Sequence, residues 1–138
     1  MKILVINRRQ EVIGHIQSVL ASVNPTIRYY DSGFDGLLAG RIEQFDLIFV
    51  NTDLPVITGF ELIRSLRHSS VNKSTSVVFL TDEINQKATY LNSLLGSIGL
   101  LLETDIEKLT EILQSQLKKY EVNRATELAE ILQVRNLN

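Results

Sequence analysis

The chain has no cysteine and no tryptophan, and it holds only two prolines and one methionine. Without cysteine there is neither a disulfide framework nor a thiolate metal site. No apolar run approaches the roughly 18 residues that a membrane-spanning helix requires. Met1–Ile6 is too short for the core of a signal peptide, and the polar Asn7–Gln10 follows it at once. Charge of one sign is lacking too. Fourteen Lys and Arg face 16 Asp and Glu, for a net charge of −2, so no global basic field draws nucleic acid or an anionic membrane. What is present is 138 residues, 44% of them hydrophobic, which suits one compact domain with a real core. A cytoplasmic, soluble domain is the expectation.

Five short apolar runs recur at Ile3–Ile6, Ile27–Tyr30, Leu47–Val50, Val77–Leu80 and Leu100–Leu102. The segments between them carry helical spacing. Val12, Ile16, Val19, Leu20 and Val23 share one face of the first, Leu62, Ile63 and Leu66 one face of the third, and Leu91, Leu94 and Leu95 one face of the fourth. Leu37, Leu38 and Ile42 would supply the face of a weaker second helix, interrupted by Gly33, Gly36 and Gly40. Alternation of strand and helix implies βαβ units and a parallel sheet. The nearly unbroken apolar character of the first, third and fifth runs fits strands covered on both faces.

A last helix is expected to begin at Asp105, as N-cap, and to continue through Leu109, Leu113, Leu117 and Tyr120 into Leu128 and Leu132. Nothing stops it before Asn136, so it is either longer than the sheet needs or divided into two helices near residue 120.

In an open α/β sheet, ligands bind beyond the carboxyl ends of the strands, where strand order reverses. The residues there are Asn7 and Arg8, then Asn51 to Asp53, then Thr81 and Asp82, then Glu103. His15 and His68 lack partners at metal-ligand spacing and read as surface residues. The Gly33–Gly40 stretch has neither the strand-then-glycine arrangement of a dinucleotide fingerprint nor the Lys-Ser/Thr of a P-loop.

Asp46–Leu66, with its buried strand, its loop containing Leu54, Pro55 and Gly59, and its amphipathic helix, closely resembles the centre of a response-regulator receiver domain of the chemotaxis-regulator type. Phe79–Thr81 and Gly96–Leu102 extend the resemblance over roughly Lys2 to Lys118. It implies a doubly wound five-stranded parallel sheet of (βα)₅, flavodoxin-like topology in residues 1–118, with residues 119–138 as a C-terminal helical extension. In that family two acidic residues after the first strand hold Mg²⁺, and they align here with Asn7 and Arg8. The phospho-accepting aspartate aligns with Asn51, the lysine after the fifth strand with Glu103, and a switch aromatic within that strand with Leu100. Only Thr81, the hydroxyl that contacts the phosphoryl group, matches its functional counterpart.

An amide is too poor a nucleophile to form an acyl phosphate. The charges of Arg8 and Glu103 cancel, where the family set leaves two negative charges for a cation that demands anionic oxygens. The expectation is therefore a pseudo-receiver, not an enzyme, with no cofactor and with Mg²⁺ binding lost or very weak. Arg8 and Glu103 are expected to pair across the vacated pocket, directly or through Asn51. Two other readings stay open at this point: a phosphorelay receiver that uses Asp53 as substitute acceptor, and a small-anion sensor built from Arg8, Arg9 and Thr81.

Receivers commonly use the fourth helix, fifth strand and fifth helix as an output and dimer face, here Asn85–Leu117. The tail Lys119–Asn138 extends from that surface and bears an apolar row of Val122, Ala125, Leu128, Ala129, Ile131 and Leu132. It should either fold back on its own domain or dock on a protein partner, including a second copy in a homodimer. Neither nucleic acid nor membrane is an expected partner.

Overall fold

A computed structural model describes residues 1–137. Five parallel strands, β1 (Lys2–Ile6), β2 (Thr26–Tyr30), β3 (Leu47–Asn51), β4 (Ser76–Thr81) and β5 (Gly99–Leu102), form one sheet in the order β2-β1-β3-β4-β5. Helices α1 (Glu11–Val19), α2 (Gly33–Ile42), α3 (Gly59–His68), α4 (Gln86–Leu95) and α5 (Ile106–Leu137) alternate with them. This is the doubly wound, flavodoxin-like architecture, and each strand lies within one or two residues of its apolar run.

Residues one apart on a strand enter opposite cores, as the period of two requires. Leu4, Ile6, Ile48, Val50, Val77 and Phe79 pack on one face with Leu62, Ile63 and Leu66 of α3 and Ala39 of α2. Ile3, Val5, Leu47, Phe49, Val78 and Leu80 pack on the other with Ile16 of α1 and Leu109 and Leu113 of α5. Both faces of β1 and β3 are covered, which is why their sequences hardly alternate.

The second helix departs from the expectation. Leu37 packs half-buried on the core as expected, but Leu38 and Ile42 are exposed, and the fully buried residues of α2 are Gly33, Gly36, Ala39 and Gly40. A Cβ on Gly36 would stand 2.6 Å from side-chain atoms of Ile6, and one on Gly40 would stand 2.8 Å from Leu66. The glycines bring α2 down onto the sheet, so they are its contact surface and not its interruption. In α4, Leu95 packs half-buried on the core as expected, while Ala88 is the fully buried residue and Leu94 is exposed.

The polar loop before β4 holds a buried residue that composition hid. Asn72 donates through Nδ2 to the carbonyls of Gly40 (2.5 Å) and Glu43 (2.8 Å) and accepts at Oδ1 from Phe45 N (2.9 Å) and Thr75 Oγ1 (2.8 Å). It ties the end of α2 to the start of β3. Arg67 donates to the carbonyls of Leu95, Asn72, Lys73 and Thr75. Partial burial holds its pKa below the usual arginine value.

Asp105 caps α5, accepting from Lys108 N, and the helix then runs unbroken through residue 120 to Leu137. The two-helix alternative is therefore excluded. Tyr120 makes the last anchor near the sheet, its hydroxyl accepting from the N-terminal ammonium of Met1 at 3.1 Å. From Glu121 to Arg135 every residue is exposed, so the tail does not fold back on its own domain; Asn138 lies outside the described residues. His15 is not a free surface residue: it is half-buried between α1 and α5, its Nε2 2.7 Å from Thr110 Oγ1. No described helix is long and apolar enough to cross a membrane.

Candidate functional site

Strand order reverses between β1 and β3, and the crevice at that point is where an open α/β sheet places its ligands. The sheet brings Asn7, Asn51, Thr81 and Glu103 to this one edge. Asn7, Asn51 and Thr81 are buried, at 2%, 4% and 5% exposure. Buried polar groups must be hydrogen-bonded, and no buried side-chain N or O among the described residues lacks a partner.

Asn51 is the hub. Its Nδ2 donates to Asn7 Oδ1 at 3.0 Å and to Glu103 Oε1 at 2.9 Å, and its Oδ1 accepts from Asp53 N at 2.7 Å. Both protons and the carbonyl oxygen of the amide are thus engaged, which fixes its orientation. Asn7 turns its own Nδ2 to the carbonyl of Arg9 at 3.2 Å. Its backbone carbonyl accepts from the Tyr29 hydroxyl at 2.7 Å. Burial, with Asp31 and Glu11 adding negative charge nearby, raises the Tyr29 pKa above the usual tyrosine range, so that hydroxyl keeps its proton.

The expected pairing of Arg8 with Glu103 is corrected. Glu103 Oε2 lies 3.3 Å from Arg9 Nη1, whereas Arg8 reaches Asp53 at 3.9 Å. Successive residues leave the strand end in different directions. Only Arg9 lies over the pocket, while the Arg8–Asp53 pair stands in solvent and contributes little. The connection through Asn51 is present, and it leads to Glu103 and Asn7. Arg9 entered the sequence reading only as an anion contact, and nothing in the spacing distinguished it from Arg8.

Thr81 also has local partners. Its hydroxyl accepts from Thr52 Oγ1 at 3.0 Å and donates to the Glu83 carbonyl at 2.9 Å. Thr52 carries no sequence signal beyond its place after the strand. Leu100, in register with Phe79, packs half-buried against the α2–α3 core and is not part of the polar cluster. Among the described residues no three His, Cys, Asp or Glu side chains converge as a metal-binding group.

The loop leaving Asn51 is strained. Val56 has φ 71°, and Ile57 N donates back to the Pro55 carbonyl at 2.8 Å. That is a γ-turn with a β-branched residue at positive φ, a rare conformation. Val56 is fully exposed, so its side chain gains nothing from the position. Val56→Gly should stabilise the fold by about 1 kcal/mol, the relieved strain exceeding the added flexibility of the unfolded chain. Urea denaturation checks this, and a loss of stability would show the turn to be unstrained.

The sequence of residues 3–102 matches the family described as "Response regulator receiver domain". The chain is 28% identical over 87 residues, 63% of its length and 38% of the relative's, to the cell cycle transcriptional regulator CtrA of Caulobacter vibrioides. It is 27% identical over 126 residues, 91% of its length and 55% of the relative's, to the transcriptional regulatory protein PcoR of Escherichia coli. It therefore spans about half or less of these curated relatives. Among solved structures, the chemotaxis response regulator CheY4 of Vibrio cholerae superposes with a TM-score of 0.70 at 24% identity, covering 83% of this chain and 97% of that one; this likeness concerns the fold.

Proposed function

Since the chain belongs to the response regulator receiver domain family, a family of two-component signalling, we propose that it is a receiver that signals without aspartyl phosphorylation. One observation carries the reading. The side chain ending β3 is a neutral amide that donates to Glu103 and Asn7, where acceptance of a phosphoryl group needs an ionised carboxylate with its oxygens free. A phosphoryl group at Asn51 would have to displace Glu103 and would meet its negative charge.

The same donor set argues against Mg²⁺. Two amides, a single carboxylate already paired with Arg9 and an adjacent Arg8 do not replace the hard anionic oxygens that this ion needs to shed its water. No step of the proposed function runs through a metal. The small-anion reading is weakened in turn, because Glu103 and Asp53 offset Arg9 and Arg8. Asp53 keeps the substitute-acceptor reading alive in one respect: its side chain is 83% exposed and open to a phosphodonor.

Signalling would then pass through protein contacts. The face formed by α4, β5 and α5, roughly residues 85–117, exposes Tyr90, Leu94, Ile98 and Ile106, and the overhanging end of α5 continues from it. In this reading the face is presented in one conformation set by the closed Asn51 network, in a cytoplasmic protein that catalyses no reaction of its own.

Incubation with a small-molecule phosphodonor and Mg²⁺, read by intact mass, should give no gain of phosphoryl mass under conditions that label an ordinary receiver. A labile adduct would overturn the reading. If Asp53→Ala then abolished that adduct, the chain would be a phosphorelay receiver with a displaced acceptor.

A further inference from the structure

The overhang of α5 is a helix without a core. Fifteen residues, Glu121 to Arg135, rise roughly 20 Å beyond Tyr120, all of them exposed. The packed first half of α5 nucleates it, but most helical stability comes from burying an apolar face, and a partner surface is what would supply that here. Along it, Val122, Ala125, Ala129 and Leu132 follow the alternating three- and four-residue spacing of a coiled-coil seam, with Leu128 beside them. Val122, Leu128 and Leu132 are 63%, 55% and 58% exposed.

This row is not the continuation of the face that α5 turns to the sheet. At 3.6 residues per turn, the sheet-facing Leu109, Leu113 and Tyr120 lie about 150° around the helix from the centre of the row. A second helix can therefore lie along the row without meeting the domain from which it projects.

We infer that the occupant is the same segment of a second copy of this chain, packed antiparallel. Antiparallel pairing centred between Ala125 and Ala129 sets Val122 against Leu132 of the second copy, and Ala125 against Ala129 of the second copy. The two alanine layers allow the helix axes to approach closely, while the aliphatic residues close both ends. One flank of the seam then sets Leu128 against Leu128 of the second copy, with Glu121 against Arg135 of the second copy on each side of it. Two oppositely charged pairs thus bracket an apolar centre. The other flank carries Lys119, Thr126 and Gln133, without repulsion between like charges.

Parallel pairing lacks this complementarity. It places Glu121 near Thr126 and Leu128 near Gln133 of the second copy, with no charge pair at either flank. Charge therefore selects orientation as well as partner. The inference rests on the proposed signalling through protein contacts and names the contact. It makes the chain a dimer whose two receivers lie at opposite ends of a short two-helix stem.

The absence of cysteine makes the test clean, since single-cysteine variants of the full chain have one thiol each. Ala125→Cys and Ala129→Cys proteins, mixed under mild oxidation, should form a 125-to-129 cross-linked pair faster than either protein links to itself. In sedimentation equilibrium, Glu121→Arg or Arg135→Glu alone should weaken dimerisation about tenfold, and the double variant should recover it. Faster self-linking of Ala125→Cys would show parallel pairing and overturn the inference. A parent chain that stays monomeric at every concentration would do the same. Neither readout involves phosphate, so a phosphate adduct in the mass experiment with the cross-link intact would remove only the phosphorylation-independent reading.

Discussion

Asn51→Asp is expected to destabilise the fold by about 3 kcal/mol at neutral pH, although it replaces one atom group with another of equal size. The amide donates to Glu103 Oε1 at 2.9 Å and to Asn7 Oδ1 at 3.0 Å. A carboxylate donates to neither. Asn7 can turn its own amide to recover part of this, at the expense of its bond to the Arg9 carbonyl. Glu103 keeps Arg9 on Oε2 but has no replacement donor for Oε1, and two carboxylates would face one another at a site where Asn51 is 4% exposed. An orphaned buried acceptor and a like-charge contact each cost on the order of 1–3 kcal/mol.

The deficit should depend on pH in a direction that can be worked out. Repulsion from Glu103 raises the pKa of the introduced carboxyl in the folded variant above its unfolded value, so the folded state holds a proton that the unfolded state has released. The deficit is then complete above the raised folded value and shrinks as pH falls toward the unfolded carboxylate range near about 4. There the shared proton also restores a donor between the two side chains. Adding Glu103→Gln should recover most of the loss at neutral pH, since the new amide donates where Asn51 did. Urea denaturation at neutral and acidic pH, with the double variant, checks each step. A variant as stable as the parent at neutral pH would mean that Asn51 and Glu103 do not touch.

That contact was half legible in the sequence. The strand ends could be read from the apolar runs, and a doubly wound sheet brings residues 7, 51, 81 and 103 to one edge whatever they are. Position along the chain therefore located the site. Direction was not legible. Arg8 and Arg9 are adjacent and identical, and the backbone path after β1, which nothing in the residues specifies, decides which of them reaches Glu103. Thr52 lies in the Asn51–Asp53 stretch read as part of this edge, but its partner was not legible, because a hydroxyl after a strand is ordinary until Thr81 stands 3.0 Å away.

In the fold, α2 was legible only through Leu37, because periodicity counts apolar side chains, whereas the rest of its buried face is three glycines and Ala39. The continuity of α5 was open for the opposite reason. Past Tyr120, Ile131 and Val134 stay on the old side while Val122, Ala125, Ala129 and Leu132 open a second row, which is equally the signature of a bend and of a straight helix that leaves the sheet behind.

Gly59→Ala should cost at least as much as any substitution at the site, about 3 kcal/mol or more, although it adds a single methyl group in a helix where alanine is the better former. Thr58 caps α3, its hydroxyl accepting from Glu61 N at 3.1 Å, and Gly59 N donates to the Thr52 carbonyl at 3.1 Å. The first residue of α3 is thereby pressed against the end of β3. A Cβ on Gly59 would stand 2.1 Å from the Asn51 carbonyl oxygen, 2.8 Å from its carbon and 3.1 Å from Thr52 Cα. All three are backbone atoms, so no rotamer change can yield space, and either the helix start or the strand end must move.

Gly36→Ala is the control, because its Cβ would meet the Ile6 side chain at 2.6 Å, and a side chain can turn. Its loss should be clearly smaller. Denaturation midpoints of the two variants at unchanged m-value separate these cases, and a Gly59→Ala protein within about 0.5 kcal/mol of the parent would refute the close approach. The consequence reaches the site, because the backbone that Gly59 crowds carries the Asn51 amide. With α3 seated on one side and Asn7 and Glu103 bonded on the other, that amide has no free direction in which to move.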